Sequence, residues 1–231
     1  MRRHPHRRVT AVQRNADVGG ADVRLLPAAL QGRLVRLRPI ARVDHPVLFT
    51  WRNDDRWAPP FARRCDRFTG GVLHPSQRIV DFDEWQRTEL QYLLHSGVAL
   101  FAEKSDGGAP VGVVHMDGFN STDGRADYRE FYPGEVFRTR EAAESTALFL
   151  DHLFRRYPLR KLCAEVLAYD EGHVEKLQRA GFREEMRLKE DAWYGASYVD
   201  YVYLGLFGPE WLERRTAYLA DLAISDLPMR P

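Results

Sequence analysis

The chain has 231 residues, 44% of them hydrophobic and 29% charged, with a formal net charge of +1. That length suits one full core better than two large domains, and the near-neutral balance excludes the global positive field that recruits nucleic acid or an anionic membrane. Two cysteines, Cys65 and Cys163, make neither a disulfide framework nor a metal site. No stretch approaches the roughly 20 apolar residues that cross a bilayer. A reduced, cytoplasmic protein without a metal is therefore expected. Lysine occurs only at Lys104, Lys161, Lys176 and Lys189 among 34 basic residues, a skew read as coding bias before phosphate recognition.

Residues 1–30 stand apart. Arg2, Arg3, Arg7, Arg8 and Arg14, with His4 and His6, precede Gly19-Gly20 and Pro27, and such a segment buries too little apolar surface to fold alone. It reads as a flexible basic extension, with a partner-binding arm as the alternative, and residues 31–231 read as a single domain. Folding is expected to begin at Leu34, because Leu34 to Pro39 alternates apolar and basic residues as a half-exposed strand does and Pro39 closes it. Asp44 is placed to cap a short helix over Pro46 to Asn53.

A long link without periodicity follows, from Trp51 to Gly71, with Trp51, Trp57, Phe61 and Phe68 beside Arg52, Arg56, Arg63 and Arg64. Loops of that length in compact domains are usually functional or disordered. A helix is expected from Asp83 to about Leu94, then strands at Val98 to Glu103, Val111 to Met116 and Arg125 to Tyr132, the first two joined by the turn Ser105-Asp106-Gly107-Gly108. From Glu141 to Tyr157, Ala142, Ala143, Thr146, Ala147, Leu150, Leu153 and Phe154 recur at helical spacing.

The run from Arg160 to Phe207 is the most informative. Leu162, Cys163, Ala164, Val166 and Leu167 form a nearly unbroken apolar run, the pattern of a strand buried on both faces. Asp170 is a candidate N-cap for a helix whose Val174, Leu177 and Gln178 share a face, and Gly181 supplies a left-handed stop. A strand to Glu190, an aromatic-studded loop and a strand from Tyr198 to Phe207 complete the run. The tail from Glu210 to Leu222, with Trp211, Leu212, Tyr218, Leu219 and Leu222, reads as an amphipathic helix that closes the domain or joins two copies in a homodimer.

Strand, helix ending in Ala180-Gly181-Phe182, strand and final strand together resemble the C-terminal half of a Gcn5-related N-acyltransferase. Leu37-Arg38-Pro39-Ile40 through Asp44 to Trp51-Arg52-Asn53-Asp54 resembles the opening of that superfamily's ribosomal-protein N-terminal acetyltransferase branch. The resemblance covers about residues 33–212 and implies an α/β (α+β) fold, a central mixed, mostly antiparallel twisted sheet of six to seven strands flanked by helices. It implies direct attack of a primary amine, on a peptide, a protein N-terminus or a small molecule, on a thioester of acetyl-CoA, another acyl-CoA or an acyl carrier protein.

In such proteins the turn before the cofactor helix reads Arg or Gln, Gly, any residue, Gly, and its amides grip the pyrophosphate. Here Phe137-Arg138-Thr139-Arg140 stands in its place, with Val136, Glu141 and Ala142 flanking. Both glycines are arginine, whose side chains are able to supply charge-assisted bonds instead. Asp170 and His173 stand where the resemblance puts groups facing the pantetheine, His173 being a candidate acid, and Leu177 replaces the frequent tyrosine acid. For the base it offers Glu130 on the central strand, or Glu190 and Asp191 ahead of the final strand. Trp51, Arg52, Trp57, Phe61 and Tyr194 are the candidate acceptor contacts. Two alternatives stay open: a non-catalytic module that binds a thioester or a partner, and long-chain acylation of a peptide or antibiotic.

Overall fold

In the computed structural model, which describes residues 29–53, 81–168, 170–194 and 197–222, the period-two stretches pair into one sheet. Its strands are β1 (Leu30–Gln31), β2 (Val35–Pro39), β3 (Gly97–Lys104), β4 (Pro110–Asn120), β5 (Arg125–Phe131), β6 (Lys161–Leu167), β7 (Arg183–Tyr194) and β8 (Ser197–Phe207). Across the sheet they run β1-β2-β3-β4-β5-β6-β8-β7. All neighbours are antiparallel except β5 and β6. The sheet has one strand more than expected because a buried carboxylate organises its start. Glu144 accepts hydrogen bonds from the amides of Arg33, Leu34 and Val35 at 2.9, 2.7 and 2.9 Å, so the chain turns there and Leu30–Gln31 pairs back on β2.

Among the described residues two helices cover one face. α1 (His45–Asn53) follows a 3-10 turn at Arg42–Asp44, and α2 starts at Phe82–Trp85, passes through a π-helical turn at Gln86–Leu90 and ends at Gln91–His95. Asp44 does not cap α1 as expected; its carboxylate accepts from the Ala41 amide at 2.7 Å and from the Arg38 guanidinium at 2.6 and 2.8 Å. Asp81 caps α2, two residues before the expected start. Leu48, Trp85, Leu90 and Leu93 meet Ala99, Phe101 and Val113 of the sheet in a compact apolar layer.

The opposite face carries α3 (Arg140–Arg156), α4 (Glu171–Ala180) and α5 (Gly208–Asp221) over the larger core. Thr139 caps α3, and Asp170 caps α4 by accepting from the His173 amide at 3.2 Å. Gly181 ends α4 at φ 108°, a conformation that strains any residue with a Cβ. On α4 the buried residues are Lys176, Leu177 and Ala180, whereas Gln178 is exposed; the expected apolar face is rotated toward the lysine. Trp211 of α5 is fully buried and donates to Asp151 Oδ1 at 2.8 Å, so α5 closes its own domain, though Leu212 remains 55% exposed.

Two further expectations change. β6 alternates, with Leu162, Ala164 and Val166 buried and Cys163 and Glu165 half-buried, so only one of its faces joins the main core. Asp191 to Tyr194 is strand rather than loop, and a register shift between Leu188 and Ala192 absorbs the extra residues. Among the described residues no helix is long and apolar enough to cross a membrane.

Candidate functional site

Among the described residues β5 and β6 are the only parallel neighbours, and they pair only where Arg125, Ala126 and Asp127 face Lys161, Leu162 and Cys163. Beyond that point the two strands run on to Phe131 and Leu167 without pairing. A slot of about 30 Å³ opens between them. Strand alternation lines it from both faces of the sheet. Tyr128, Glu130, Ala164 and Val166 belong to the face under α4, which adds His173 and Leu177, while Arg129, Phe131, Glu165 and Tyr201 come from the other.

Glu130 is the centre of a buried polar cluster. Lys176 Nζ donates to its Oε1 at 2.5 Å, and Tyr128 Oη and Thr146 Oγ1 both donate to its Oε2 at 2.7 Å. The ammonium also donates to Thr146 Oγ1 at 2.7 Å and lies 4.4 Å from the centre of the Tyr132 ring. Burial pushes the Glu130 carboxyl up, but Lys176 and then His173 outweigh it and hold the group well below the usual carboxylate range. For Lys176 burial prevails and lowers the ammonium from its ordinary value despite Glu130. Glu130 is thus ionised and already well bonded, a poor acceptor for a substrate proton and a good counter-charge.

His173 is that charge's neighbour in the slot. Its Nε2 lies 3.2 Å from Glu130 Oε1 and its Nδ1 3.7 Å from Asp170 Oδ2. Nε2 is buried and has no aligned hydrogen-bond partner. Burial disfavours the imidazolium, yet Asp170 and Glu130 together raise the ring above its ordinary pKa. The two carboxylates thus favour the protonated ring, with Nε2 beside Glu130 but not well aligned for a hydrogen bond to it.

A second cavity, about 620 Å³, runs between the N-terminus of α3, α4 and α5. Phe137, Arg138, Thr139 and Arg140 line one end, Gly172, Lys176 and Arg179 its side, and Tyr218 the far wall. Tyr218 Oη is buried there without a hydrogen-bond partner. Cations, a helix N-terminus and an orphaned hydroxyl fit a phosphate-bearing ligand. A Cβ on Gly172 would lie 2.8 Å from the Phe137 ring, so the glycine lets that ring rest on α4. Arg138 in turn stacks on Phe137 at 5.1 Å.

Several expected contacts fall elsewhere. Val136 packs into the core and Ala142 is fully buried inside α3, while Glu141 pairs with Lys104 at 3.1 Å; none of the three lines the groove. Glu190 and Asp191 lie in the β7 bulge, where Glu190 has φ 51° and its amide donates to Asp200 Oδ1 at 2.9 Å. With β8 between β7 and β6, neither carboxylate lines the slot. Arg52 is buried and pairs with Glu89 at 2.7 and 3.0 Å, tying α1 to α2. Trp51 stacks on Phe101 at 5.9 Å and, with Arg52 and Phe131, borders a small apolar cavity on that face. Trp57 and Phe61 lie outside the described residues, as does the Tyr194 side chain.

Lys176, Thr146, Tyr128, Arg129, Glu165 and Tyr218 were not expected at the site. Part of the signal was present: Tyr128, Glu130 and Tyr132 share strand parity, and His173 and Lys176 are one helical turn apart. The pairing of those two sets across α4 and β5 has no trace in local sequence.

No protein-family model matches the sequence, and no curated protein does. Solved structures do. The chain superposes on a Gcn5-related N-acetyltransferase from Brucella melitensis with a TM-score of 0.62 and 18% identity, over 84% of this chain and 85% of that one. This chain has the GNAT fold. Spermidine N-acetyltransferase from Vibrio cholerae, solved with CoA and spermine, gives a TM-score of 0.63 at 18% identity, over 78% of this chain and 98% of that one. A GNAT-family acetyltransferase from Bacillus anthracis gives 0.57 at 12%, over 79% and 99%.

Proposed function

We propose that this chain is an N-acyltransferase that binds acyl-CoA in the groove between α3, α4 and α5 and passes the acyl group to a primary amine in the β5–β6 slot. The observation that carries this reading is a pair of adjoining cavities, a cationic groove and a slot that presents His173, linked by Lys176 of the groove bonding Glu130 of the slot. Arg138, Arg140 and Arg179 would hold the phosphates, with the α3 N-terminus and Tyr218 Oη beside them. When bound, the thioester supplies an activated acyl carbon and a thiol leaving group. His173 Nε2–H donates its proton to that thiolate, and Glu130 with Asp170 keeps the imidazole charged for the task. Glu130 is therefore a positioning residue rather than the base.

Titration calorimetry with acetyl-CoA, octanoyl-CoA and free CoA, repeated on the Arg138→Ala/Arg140→Ala double variant, tests the reading. Micromolar binding that weakens by about tenfold or more in the double variant is expected, since a hydrogen bond to a charged group contributes roughly 1.5–3 kcal/mol. Tighter binding of octanoyl-CoA than acetyl-CoA would point to long-chain acylation. A second reading, a thioester-binding module without turnover, is favoured by the Phe137 ring on Gly172; binding without release of free CoA in the presence of any amine would select it. No binding by any of the three would leave carrier-protein delivery or a partner-binding role.

A further inference from the structure

Lysine is scarce in this chain, four among 34 basic residues, and Lys176 is the one of the four that is buried. Among the described residues the other buried carboxylates that pair with a permanent cation take arginine: Glu89 pairs with Arg52, Asp44 and Glu103 with Arg38, Asp117 with Arg129 and Asp151 with Arg215. Arginine suits a buried pair because its charge does not titrate and its donors form a rigid fork. Glu130 departs from that pattern. Its partner is a lysine, whose nitrogen becomes a nucleophile once a proton leaves.

Position gives that nitrogen a target. Lys176 lines the groove between α3, α4 and α5, and its Nζ lies 2.5 Å from Glu130 Oε1. His173 Nε2, which meets the thiolate in the reading above, lies 3.2 Å from the same oxygen. The amine and the group that meets the sulfur are neighbours across one atom, so an acyl carbon bonded to that sulfur falls within reach of the flexible four-carbon lysine stem. Burial also loosens the ammonium's hold on its proton. The other lysines stand apart: Lys104 pairs with Glu141, Lys161 with Glu185, and Lys189 is exposed on β7. None of those three lines the groove or the slot.

We propose that Lys176 is a site of self-acylation: with acyl-CoA bound and no acceptor amine present, the acyl group passes to Lys176 Nζ, and Glu130 is handed from Lys176 to His173. This rests on the acyltransferase reading and adds a second destination for the acyl group. In the step the ammonium releases one proton through the groove to solvent, the neutral nitrogen forms the C–N bond to the acyl carbon and the C–S bond breaks. The thiolate takes the proton of His173, which regains one from the nitrogen as the amide forms. Acyl-CoA and the ammonium thus become an amide, free CoA and one proton in solution. The amide is uncharged, so Glu130 Oε1 is left to His173 Nε2, and the imidazolium is drawn into a bond with the carboxylate. Acylation would withdraw that proton from the next thiolate and slow further transfer.

The test needs no acceptor. Wild-type protein is incubated with acetyl-CoA alone, and released CoA, intact mass and the acetylated positions are followed in time. The expected result is one acetyl group gained and one CoA released per chain, with the acetyl group on Lys176. Its rate should exceed that at Lys104, Lys161 or Lys189 by about tenfold or more and be independent of protein concentration. In the Arg138→Ala/Arg140→Ala variant, at acetyl-CoA below saturation, the rate at Lys176 should fall by about tenfold or more while the other three lysines keep theirs. Acetylation of Lys176 no faster than of the other lysines, or undiminished in the double variant, would be adventitious reaction with a thioester and would overturn the proposal. An unmodified Lys176 in protein that binds acetyl-CoA in calorimetry would overturn it and leave the acyltransferase reading in place. Absence of acetyl-CoA binding would remove both. The handover has its own readout, an NMR titration of the histidines before and after acetylation, with the His173 signal assigned by its loss in His173→Ala. The His173 pKa should rise once Lys176 no longer shares Glu130; an unchanged or lower value would overturn that half of the proposal.

Discussion

The two faces of the sheet bury ion pairs of the same kind and use them differently. Under α1 and α2, Arg52 and Glu89 bond each other in an apolar layer, and Arg52 borders a small apolar cavity. Beneath α4, Lys176 and Glu130 bond each other too, but the pair is flanked by His173 and sits between the groove and the slot. A closed pair anchors two helices, whereas a closed pair beside a further donor sets the charge of that donor. Burial alone does not mark function; an unmet hydrogen-bonding group beside a cavity is the better sign.

The largest effect that would break this comparison is on stability. Lys176→Met leaves Glu130 buried without its cation, and removal of one partner of a buried pair destabilises by about 3–5 kcal/mol; the urea midpoint checks it, and adding Glu130→Gln should restore part of the loss. Arg52→Met should destabilise by a similar amount, about 3–5 kcal/mol, yet leave acetyl-CoA binding intact in calorimetry. If Arg52→Met abolished binding, the two faces would not be separate. The pH dependence sharpens the contrast. Glu130 is held below its ordinary pKa of 4.5, so its contribution to stability is present above that value and fades as pH falls toward the lowered one. In Lys176→Met the isolated carboxyl is pushed up instead, so the stability gap between the two proteins should narrow as pH falls.

Catalysis should respond to a smaller and cleaner change. His173→Ala is expected to lower kcat by about 10²-fold, the lower end for loss of a general acid, with an acetyl-CoA Kd within about threefold of wild type and little shift in the urea midpoint. The smallest effect is expected at Leu212, 55% exposed on α5: Leu212→Asp should alter stability by no more than about 0.5 kcal/mol and leave the mass in light scattering unchanged. A drop in mass would show that this helix joins two copies.

Much of the fold was legible. The stops at Pro39 and Gly181, the Asp170 cap, the turn at Ser105 to Gly108 and the long helix now bounded at Arg140–Arg156 are local events, decided by backbone preferences within a few residues. The site was legible in half. Arg138, Arg140, Asp170 and His173 were expected near a cofactor and do line the groove or the slot. Asp191 and Glu190 were misplaced because a bulge and an intervening strand, both products of pairing, carry them away. Glu130 lines the slot, but a carboxylate's readiness to take a proton depends on neighbours 46 and 43 residues away in Lys176 and His173, which local sequence does not reveal.

By itself the sequence determined the order of the main elements, several of their stops, and that one mixed sheet with helices would bury the apolar faces, because periodicity and capping act over a turn or a strand. Tertiary structure alone decided that β5 and β6 part after three pairs, that Lys176 reaches Glu130 and that Arg129 Nε–H is left without an acceptor. Those outcomes depend on desolvation and on hydrogen bonds between segments far apart in the chain, and no local pattern encodes which buried group will find its partner.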